Sequence, residues 1–211
     1  MATERVLNLD AQRSLVMVVD MQNNNCTPTG QRYSPRNAAI IPNIKGLLDK
    51  ARAAHLPTIF MQSVRSFKEP QFTVFGYPDR ILQEGSKDAE IVEALSPQKG
   101  DFVVKKHSHD AFYKTELDDL LAKLVDDPTT WHAIVTGVSA DVCAYHAVMG
   151  FHLRDYWTVV PVDCIASVFD GGTDLALRQF SLKGYSYNIQ TSRSDLITFR
   201  RAMAKTKVAP P

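Results

Sequence analysis

The fold is decided by the segment IVTGVSADVCAYH, residues 134–146. Its apolar start predicts a buried strand, and Gly137 allows the sharp turn that follows, because glycine has no side chain to clash. Ser139 or Asp141 can cap a helix, since short polar side chains accept hydrogen bonds from free N–H groups. The segment therefore predicts a strand, a tight turn and a helix with Cys143 in its first turn.

Cys143 is a candidate nucleophile. The N-terminus of a helix carries a partial positive charge that favours a thiolate. In an open parallel sheet, ligands bind at the carboxyl ends of the strands, so a cysteine there can attack while adjacent backbone N–H groups hold an oxyanion. The alternative is a cysteine that only packs, because free cysteine is among the most buried residue types.

Composition and charge exclude several classes of protein. With 211 residues, 45% of them hydrophobic and 22% charged, the chain is typical of a soluble globular protein, and we expect a single domain over 1–211. The formal net charge of +1 provides no basic field for nucleic acid. No apolar run approaches the roughly 20 residues of a membrane span, and the polar segment 1–13 lacks a signal-peptide core. We therefore expect a cytoplasmic protein with neither nucleic acid nor membrane as partner.

Cysteine usage argues against a disulfide framework. The chain has three cysteines, Cys26, Cys143 and Cys164, and no two of them form a C-x-x-C pair. An odd, low count is typical of a reducing compartment, and without C-x-x-C spacing neither a zinc site nor a redox motif is indicated.

Apolar runs alternate with helical patterns along the chain. The predicted strands cover residues 15–19, 57–61, 102–104, 133–136, 157–162 and 187–190. Helical patterns separate most of them, a short helix is predicted over 88–95, and Ser192 with Asp195 forms a capping pattern for a last helix. This alternation predicts an α/β fold: three α/β/α layers around a central, mainly parallel six-stranded sheet.

Reactive side chains follow three of these strands. Asp20 comes after the first strand, Lys105 and Lys106 after the third, and Cys143 just after the fourth. We expect them to meet at one edge of the sheet, where a carboxylate can take the thiol proton and an ammonium can lower the pKa of the cysteine. Because strand side chains alternate, only one of the two lysines can point inward. This chemistry needs no metal.

These residues resemble the motifs of the isochorismatase-like cysteine hydrolases, a superfamily that includes nicotinamidases, N-carbamoylsarcosine amidohydrolases, and ureidoacrylate and biuret hydrolases. The first motif, D-x-Q-N, matches residues 20–23, and the third, G-V-x-x-x-x-C, matches residues 137–143. The second is a lysine six residues before a phenylalanine followed by T-x-L, which matches Lys106, Phe112 and residues 115–117. The resemblance covers roughly residues 14 to 195.

The resemblance implies a catalytic triad of Asp20, Lys106 and Cys143, in which the spacing to Phe112 selects Lys106 over Lys105. It also implies a cis peptide before Ser139 and an oxyanion hole made by the backbone N–H groups of Ser139 and Cys143. Family members are usually homodimers or homotetramers, so the resemblance implies a homo-oligomer.

One departure from the family concerns metal. Nicotinamidases carry metal-binding Asp and His residues after the second strand, whereas the segment 62–66 contains no histidine. His107 and His109 could ligate a metal, but no third ligand is evident, so they are more readily explained as pocket-lining or solvated side chains. We expect no metal and no cofactor.

The long segment 62–85 is a candidate binding loop, because loops of this length are uncommon unless they are functional. The alternative is a surface excursion packed by its own aromatic side chains. The candidate substrate-contacting residues are Arg65, Phe67 and Phe72 from this loop, together with Gln22, Cys26 and Phe112.

The expected function is hydrolysis of a C–N bond in a small amide, ureide or carbamoyl compound through a thioester-type intermediate on Cys143. One alternative on the same scaffold is isochorismatase-type hydrolysis of a vinyl ether, which in this superfamily does not need the cysteine. A second is a non-catalytic member that binds a ligand or partner protein. The presence of Cys143 argues against the first alternative, and an intact set of Asp, Lys and Cys argues against the second.

Overall fold

The computed structural model of the protein describes residues 5–200. Its strands are β1 (Leu7–Asp10), β2 (Ser14–Val19), β3 (Thr58–Ser63), β4 (Phe102–Lys106), β5 (His132–Val138), β6 (Trp157–Pro161), β7 (Ile165–Ala166), β8 (Ile189–Ser192) and β9 (Ile197–Arg200). Its helices are α1 (Asn23–Cys26), α2 (Pro35–Ala39), α3 (Ile41–Ala53), α4 (Pro70–Thr73), α5 (Leu117–Leu124), α6 (Cys143–His152) and α7 (Gly172–Phe180).

A parallel sheet forms the centre of the fold, with strand order β4-β3-β2-β5-β6-β8. The two-residue strand β7 pairs with β5 at Gly137 and Val138, beyond the residues that pair with β6. Strands β1 and β9 form a separate parallel pair. The predicted six-stranded parallel sheet is confirmed, and β7 extends it to seven strands.

The sheet lies between two hydrophobic cores. Leu15, Met17 and Val19 of β2 pack in one core with α5, α6 and α7. Val16 and Val18 pack in the other core with α3. Since alternate side chains of a strand point to opposite faces, β2 is buried on both sides. The three-layer α/β/α architecture is therefore confirmed.

The predicted last helix is wrong. After Ser192 the chain makes a 3-10 turn and then forms β9, in which Ile197 pairs with Leu7 and is fully buried. The strand exists because β1, near the opposite end of the chain, supplies both its hydrogen-bonding partner and its apolar neighbours. A local capping pattern contains no information about that partner.

The segment 88–95 is not a helix either. It forms two 3-10 turns, Lys87–Ala89 and Glu93–Leu95. The backbone N–H of Val92 donates to Met21 O at 3.0 Å, so the segment is hydrogen-bonded to the loop after β2 rather than to itself. This long-range pairing overrides the local helical propensity.

The predicted domain of residues 1–211 extends beyond the described residues at both ends and stays a prediction. No helix within residues 5–200 has the length and apolar character to cross a membrane.

Gly137 brings β5 and β2 into register next to the candidate site. Its φ is 106°, which side-chain-bearing residues rarely adopt, and a Cβ there would lie 2.1 Å from the carbonyl oxygen of Val19. We expect Gly137→Ala to lower the free energy of unfolding by about 3 kcal/mol or more, because it adds backbone strain to a backbone clash. Urea denaturation measures this effect.

Gly46→Ala is the matched control for that experiment. Gly46 lies in α3, and a Cβ there would meet no atom within 4 Å. The same chemical change should therefore stabilise the protein by about 0.5–1 kcal/mol, since alanine is the better helix former. Equal effects at the two positions would contradict the argument.

Candidate active site

Asp20 lies at the carboxyl end of β2, beside the ends of β3 and β5. Its φ is 52°, a conformation that aspartate tolerates better than most residues. Its backbone N–H donates to Met61 O at 3.0 Å, and its carbonyl oxygen accepts from Gln22 N at 2.8 Å and from Asn25 Nδ2 at 2.9 Å. These contacts fix a carboxylate-bearing residue that is only 4% exposed.

Lys106 is the lysine that points inward. Its side chain is completely buried, and Nζ lies 2.8 Å from Asp20 Oδ2, 2.9 Å from Ser63 Oγ and 3.0 Å from Ser108 O. The side chain of Lys105 is exposed and pairs with Glu84 at 2.6 Å. Strand alternation separates the two lysines, as expected.

Ser63 links the two charged groups, and the sequence analysis did not identify it. It is the last residue of β3 and pairs in register with Lys106. Its hydroxyl accepts from Lys106 Nζ and donates to Asp20 Oδ1, both at 2.9 Å. Its position at the carboxyl end of a predicted strand is the signal that could have revealed it.

Cys143 is the first residue of α6 and faces this charged pair. Its half-buried thiol lines the same cavity as Asp20, and the charges of Asp20 and Lys106 both act on it. The peptide bond between Val138 and Ser139 is cis. The structure thus brings all three residues of the predicted triad together.

The predicted helix cap is wrong. The N-cap residue of α6 is Val142, and neither Ser139 nor Asp141 caps the helix with its side chain.

Among the described residues, none accepts a hydrogen bond from the backbone N–H of Ser139 or Cys143. Two free donors therefore lie beside the thiol, which is the arrangement that an oxyanion hole requires.

The pKa of Cys143 differs from the sequence-based expectation. Burial and the neighbouring Asp20 carboxylate raise it to about 12, and the Lys106 ammonium opposes them only in part. Burial alone would lower the pKa of Lys106, but Asp20 and Cys143 outweigh burial and raise it. The resting site therefore holds a neutral thiol and a charged lysine, so attack by sulfur requires a proton acceptor.

His109 lies on the other side of the thiol, with Nδ1 3.4 Å from Cys143 Sγ. Burial, helped by the charges of Lys106 and Arg65, lowers its pKa, so the imidazole is neutral near pH 7. The ring of His107 instead contacts Val64 O at 3.1 Å and Glu69 at 3.2 Å.

Within residues 5–200, no three His, Cys, Asp or Glu side chains cluster closely enough to hold a metal ion.

A cavity of about 80 Å³ opens above the thiol. Its lining is Asp20, Asn25, Arg32, Ser63, Arg65, Tyr77, Ile81, Leu82, His109, Val138, Ser139, Val142, Cys143, Val168 and Phe169. The long segment 62–85 contributes five of these residues, which supports its interpretation as a binding loop. Arg65 lines the cavity as predicted, whereas Gln22, Cys26, Phe67, Phe72 and Phe112 do not.

The side chains of Gln22 and Cys26 make contacts within the protein interior rather than with the cavity. The fully buried Gln22 side chain donates to Ser63 O at 2.8 Å and to Ala89 O at 2.7 Å, so it ties the loop after β2 to β3. Cys26 packs in the core with α3, where burial raises its pKa to about 12. Contrary to expectation, neither Gln22 nor Cys26 lines this cavity.

The three predicted phenylalanines also pack away from the cavity. Phe112 packs edge-to-face on Phe151 in the core. Phe67 contacts Phe72 edge-to-face at 5.0 Å, and Phe72 in turn contacts Tyr77 at 5.7 Å. Phe67 and Phe72 thus support Tyr77, which lines the cavity, from behind.

Comparison with known proteins gives a consistent result. The family model described as the isochorismatase domain matches residues 14–192. The isochorismatase family protein YaaI of Bacillus subtilis (strain 168) is 30% identical over 162 residues, 77% of this chain and 85% of that protein.

Solved structures share the fold over nearly their whole length. A cysteine hydrolase from Pseudomonas syringae pv. phaseolicola 1448A aligns with a TM-score of 0.78 at 25% identity, covering 92% of this chain and 95% of that one. N-carbamoylsarcosine amidase from Thermoplasma acidophilum aligns with a TM-score of 0.71 at 24% identity, covering 87% and 97%. The resemblance inferred from the three motifs is confirmed, and the chain belongs to the isochorismatase family of hydrolases.

Proposed function

We propose that the protein is a cysteine hydrolase that cleaves a C–N bond in a small amide, ureide or carbamoyl compound. The observation that carries the proposal is a thiol in the same cavity as, and within electrostatic range of, a buried Asp20–Lys106 pair, with two unused backbone N–H groups beside it. These are the parts that acyl transfer needs: a nucleophile, a proton acceptor and an oxyanion site.

In the first half-reaction, Asp20 accepts the thiol proton while Sγ attacks the carbonyl carbon. Because burial and the Asp20 carboxylate raise the pKa of the Cys143 thiol, the thiol is neutral at rest, and we infer that its proton is transferred as the sulfur attacks. The negative charge that develops on the carbonyl oxygen is held by the N–H groups of Ser139 and Cys143. The C–N bond then breaks, and protonated Asp20 returns its proton to the leaving nitrogen, which departs as ammonia or an amine.

In the second half-reaction, water attacks the acyl carbon of the thioester. Asp20 accepts a proton from that water, and the same N–H groups hold the second oxyanion. The C–S bond breaks and the sulfur regains its proton, which releases the acid. Lys106, at 2.8 Å from Asp20 Oδ2, stabilises the carboxylate form that both half-reactions require at their start.

Two alternatives share the fold. Vinyl-ether hydrolysis of the isochorismatase type does not need the cysteine, so the position of Cys143 at the cavity argues against it. A non-catalytic binding protein has no need of a buried ion pair facing a thiol. Cytoplasmic location and assembly into a homodimer or homotetramer stay predictions.

The test is ammonia release from the purified protein across primary amides, ureides and carbamoyl compounds. We expect Cys143→Ala to abolish turnover, a loss of about 10³-fold or more, because no other group can form the acyl intermediate. Cys164→Ala is the matched control: Cys164 is fully buried outside the cavity lining, so activity should persist. Activity retained in Cys143→Ala would contradict the nucleophile, and hydrolysis of vinyl ethers alone would favour the first alternative.

A further inference from the structure

We propose that the substrate carries one carboxylate, which binds the guanidinium of Arg65 while its carbonyl carbon faces Cys143. This inference rests on the proposed hydrolysis and narrows its substrate class to amides, ureides or carbamoyl compounds of small monocarboxylic acids.

Within the described part of the chain, Arg65 is a buried cation without an ion-pair partner. The residue is 9% exposed and lines the cavity. Its guanidinium donates a hydrogen bond to the carbonyl oxygen of His107, and among residues 5–200 no carboxylate pairs with it. A guanidinium has five N–H donors in a planar fork that matches a carboxylate. Most of these donors remain available at the cavity wall.

The other charges around the cavity are already matched. Asp20 faces Lys106 at 2.8 Å, and Arg32 faces Asp79 at 2.8 Å. Glu69 is the remaining carboxylate that acts on Arg65, but it does so from a distance, and its oxygens contact Ser66 and His107. Subtracting these pairs leaves one positive charge, that of Arg65, so a monoanion matches the site best.

Because Arg65 is buried, its positive charge favours an anionic ligand over a neutral one. Desolvation lowers the pKa of Arg65, and the charges of Asp20 and Cys143 oppose that effect, so the guanidinium lies within electrostatic range of both catalytic groups. In a poorly solvated site, a cation is stabilised most by an anion brought by the ligand. A neutral amide would leave that cation unpaired.

The backbone of Arg65 is fixed before any ligand arrives. Its N–H donates to Leu82 O at 2.8 Å, and Glu84 N donates to its carbonyl oxygen at 3.4 Å. Arg65 also forms a parallel bridge with Gln83. The residue therefore sits in a two-stranded contact between the two ends of the binding loop, which reduces the entropy lost on binding.

The walls between Arg65 and the thiol restrict the rest of the substrate. Ile81, Leu82, Val138 and Val168 supply apolar surface, and the cavity measures about 80 Å³. These apolar walls suit a short aliphatic spacer between the carboxylate and the scissile carbonyl.

The experiment compares ω-carbamoyl and ureido acids of two to four carbons with their methyl esters, using ammonia release as the readout. We expect kcat/KM of the wild type to be about 100-fold higher for each acid than for its ester, because the ester leaves Arg65 unpaired. Arg65→Met should reduce that ratio to near one, mainly by losing activity on the acid. Arg65→Lys should keep part of the preference, since it retains the charge without the fork.

Arg13→Met is the matched control. Arg13 precedes β2 at the opposite edge of the sheet and pairs with Asp126 on the surface, so the acid-to-ester ratio should not change. Thermal unfolding of each variant establishes that it is folded. If Arg65→Met does not fold, the acid-to-ester ratio of Arg65→Lys is compared with that of the wild type instead. If the wild type releases ammonia from the acids and from their methyl esters with nearly equal kcat/KM, the assignment of Arg65 is overturned, whereas the proposed hydrolase activity is supported.

A binding readout separates this inference from the proposed function. Propionate and butyrate should protect Cys143 of the wild type from alkylation and should fail to protect it in Arg65→Met. If no amide, ureide or carbamoyl compound is hydrolysed but this protection pattern is observed, the proposed carboxylate site is supported and the proposed hydrolase activity is contradicted. If neither anion protects the wild type, the carboxylate site is overturned.

Discussion

Asp20→Asn is expected to slow hydrolysis and at the same time speed alkylation of Cys143. Hydrolysis should fall by about 10²–10⁴-fold, because the amide of asparagine cannot accept the thiol proton. Alkylation needs only the thiolate. The Asp20 carboxylate contributes to raising the pKa of Cys143 to about 12, so removing its charge lowers that pKa and increases the thiolate fraction near pH 7.

The measurement is the rate of iodoacetamide labelling at Cys143 against pH, resolved by peptide mass spectrometry from Cys26 and Cys164. The wild-type rate should still be rising at pH 9, and the profile of Asp20→Asn should shift to lower pH. Asp49→Asn is the control, since Asp49 lies on α3 and pairs with Lys45 at 3.0 Å on the surface. A parallel fall of hydrolysis and alkylation in Asp20→Asn would contradict the role of Asp20 as proton acceptor.

Lys106→Met is expected to lower the stability of the protein strongly. Methionine matches much of the volume of lysine, but it leaves the nearly buried carboxylate of Asp20 with no cationic partner. Breaking a buried pair by removing one partner costs about 3–5 kcal/mol. Urea denaturation should show this loss of unfolding free energy.

The pH range of that loss follows from the pKa of Lys106. Because the pKa is raised in the folded state, the stabilisation is fully present below the pKa of an unfolded lysine, about 10.4, and is lost only as pH rises through the folded value. The difference between the wild type and Lys106→Met should therefore stay constant from pH 6 to 9.

Lys105→Met is the matched control from the neighbouring position. Its ion pair with Glu84 lies at the surface, so the free energy of unfolding should change by less than about 1 kcal/mol. The double variant Asp20→Asn/Lys106→Met should recover part of the stability lost in Lys106→Met, since no carboxylate remains unpaired. Equal stability of the two lysine variants would contradict the assignment of Lys106 as the buried partner.

Features encoded by local pattern were predictable from the sequence. Continuous apolar runs predicted the central strands β2, β3, β5 and β6, because a parallel strand buried on both faces must be apolar nearly throughout. The strand ends predicted that Asp20, a lysine and Cys143 would meet, and the family resemblance implied that the lysine is Lys106; the structure places these three residues together. The arrangement follows because parallel strands bring their carboxyl ends to one edge.

Features that depend on distant partners were not predictable in the same way. Strand β9 was predicted as a helix because its partner β1 lies near the opposite end of the chain. Phe67, Phe72 and Phe112 were expected at the substrate, but aromatic side chains in a polar segment pack on whatever apolar surface the fold offers them. The hydrogen bonds of Ser63 to both Asp20 and Lys106, and the contact of His109 with Cys143, depend on strands and loops that are distant in sequence.

The sequence by itself determined the three-layer fold and the family, because strand periodicity and the three motifs are local properties of the chain. Through the family resemblance it also predicted Asp20, Lys106 and Cys143 as the catalytic residues. Only the tertiary structure decided the electrostatics of the site. A helix N-terminus and a lysine predicted a lowered pKa for Cys143, whereas burial and the Asp20 carboxylate raise it to about 12. The buried guanidinium of Arg65, which has no carboxylate partner within residues 5–200, is likewise a property of the folded state, since its burial and its contacts depend on every segment that packs around it.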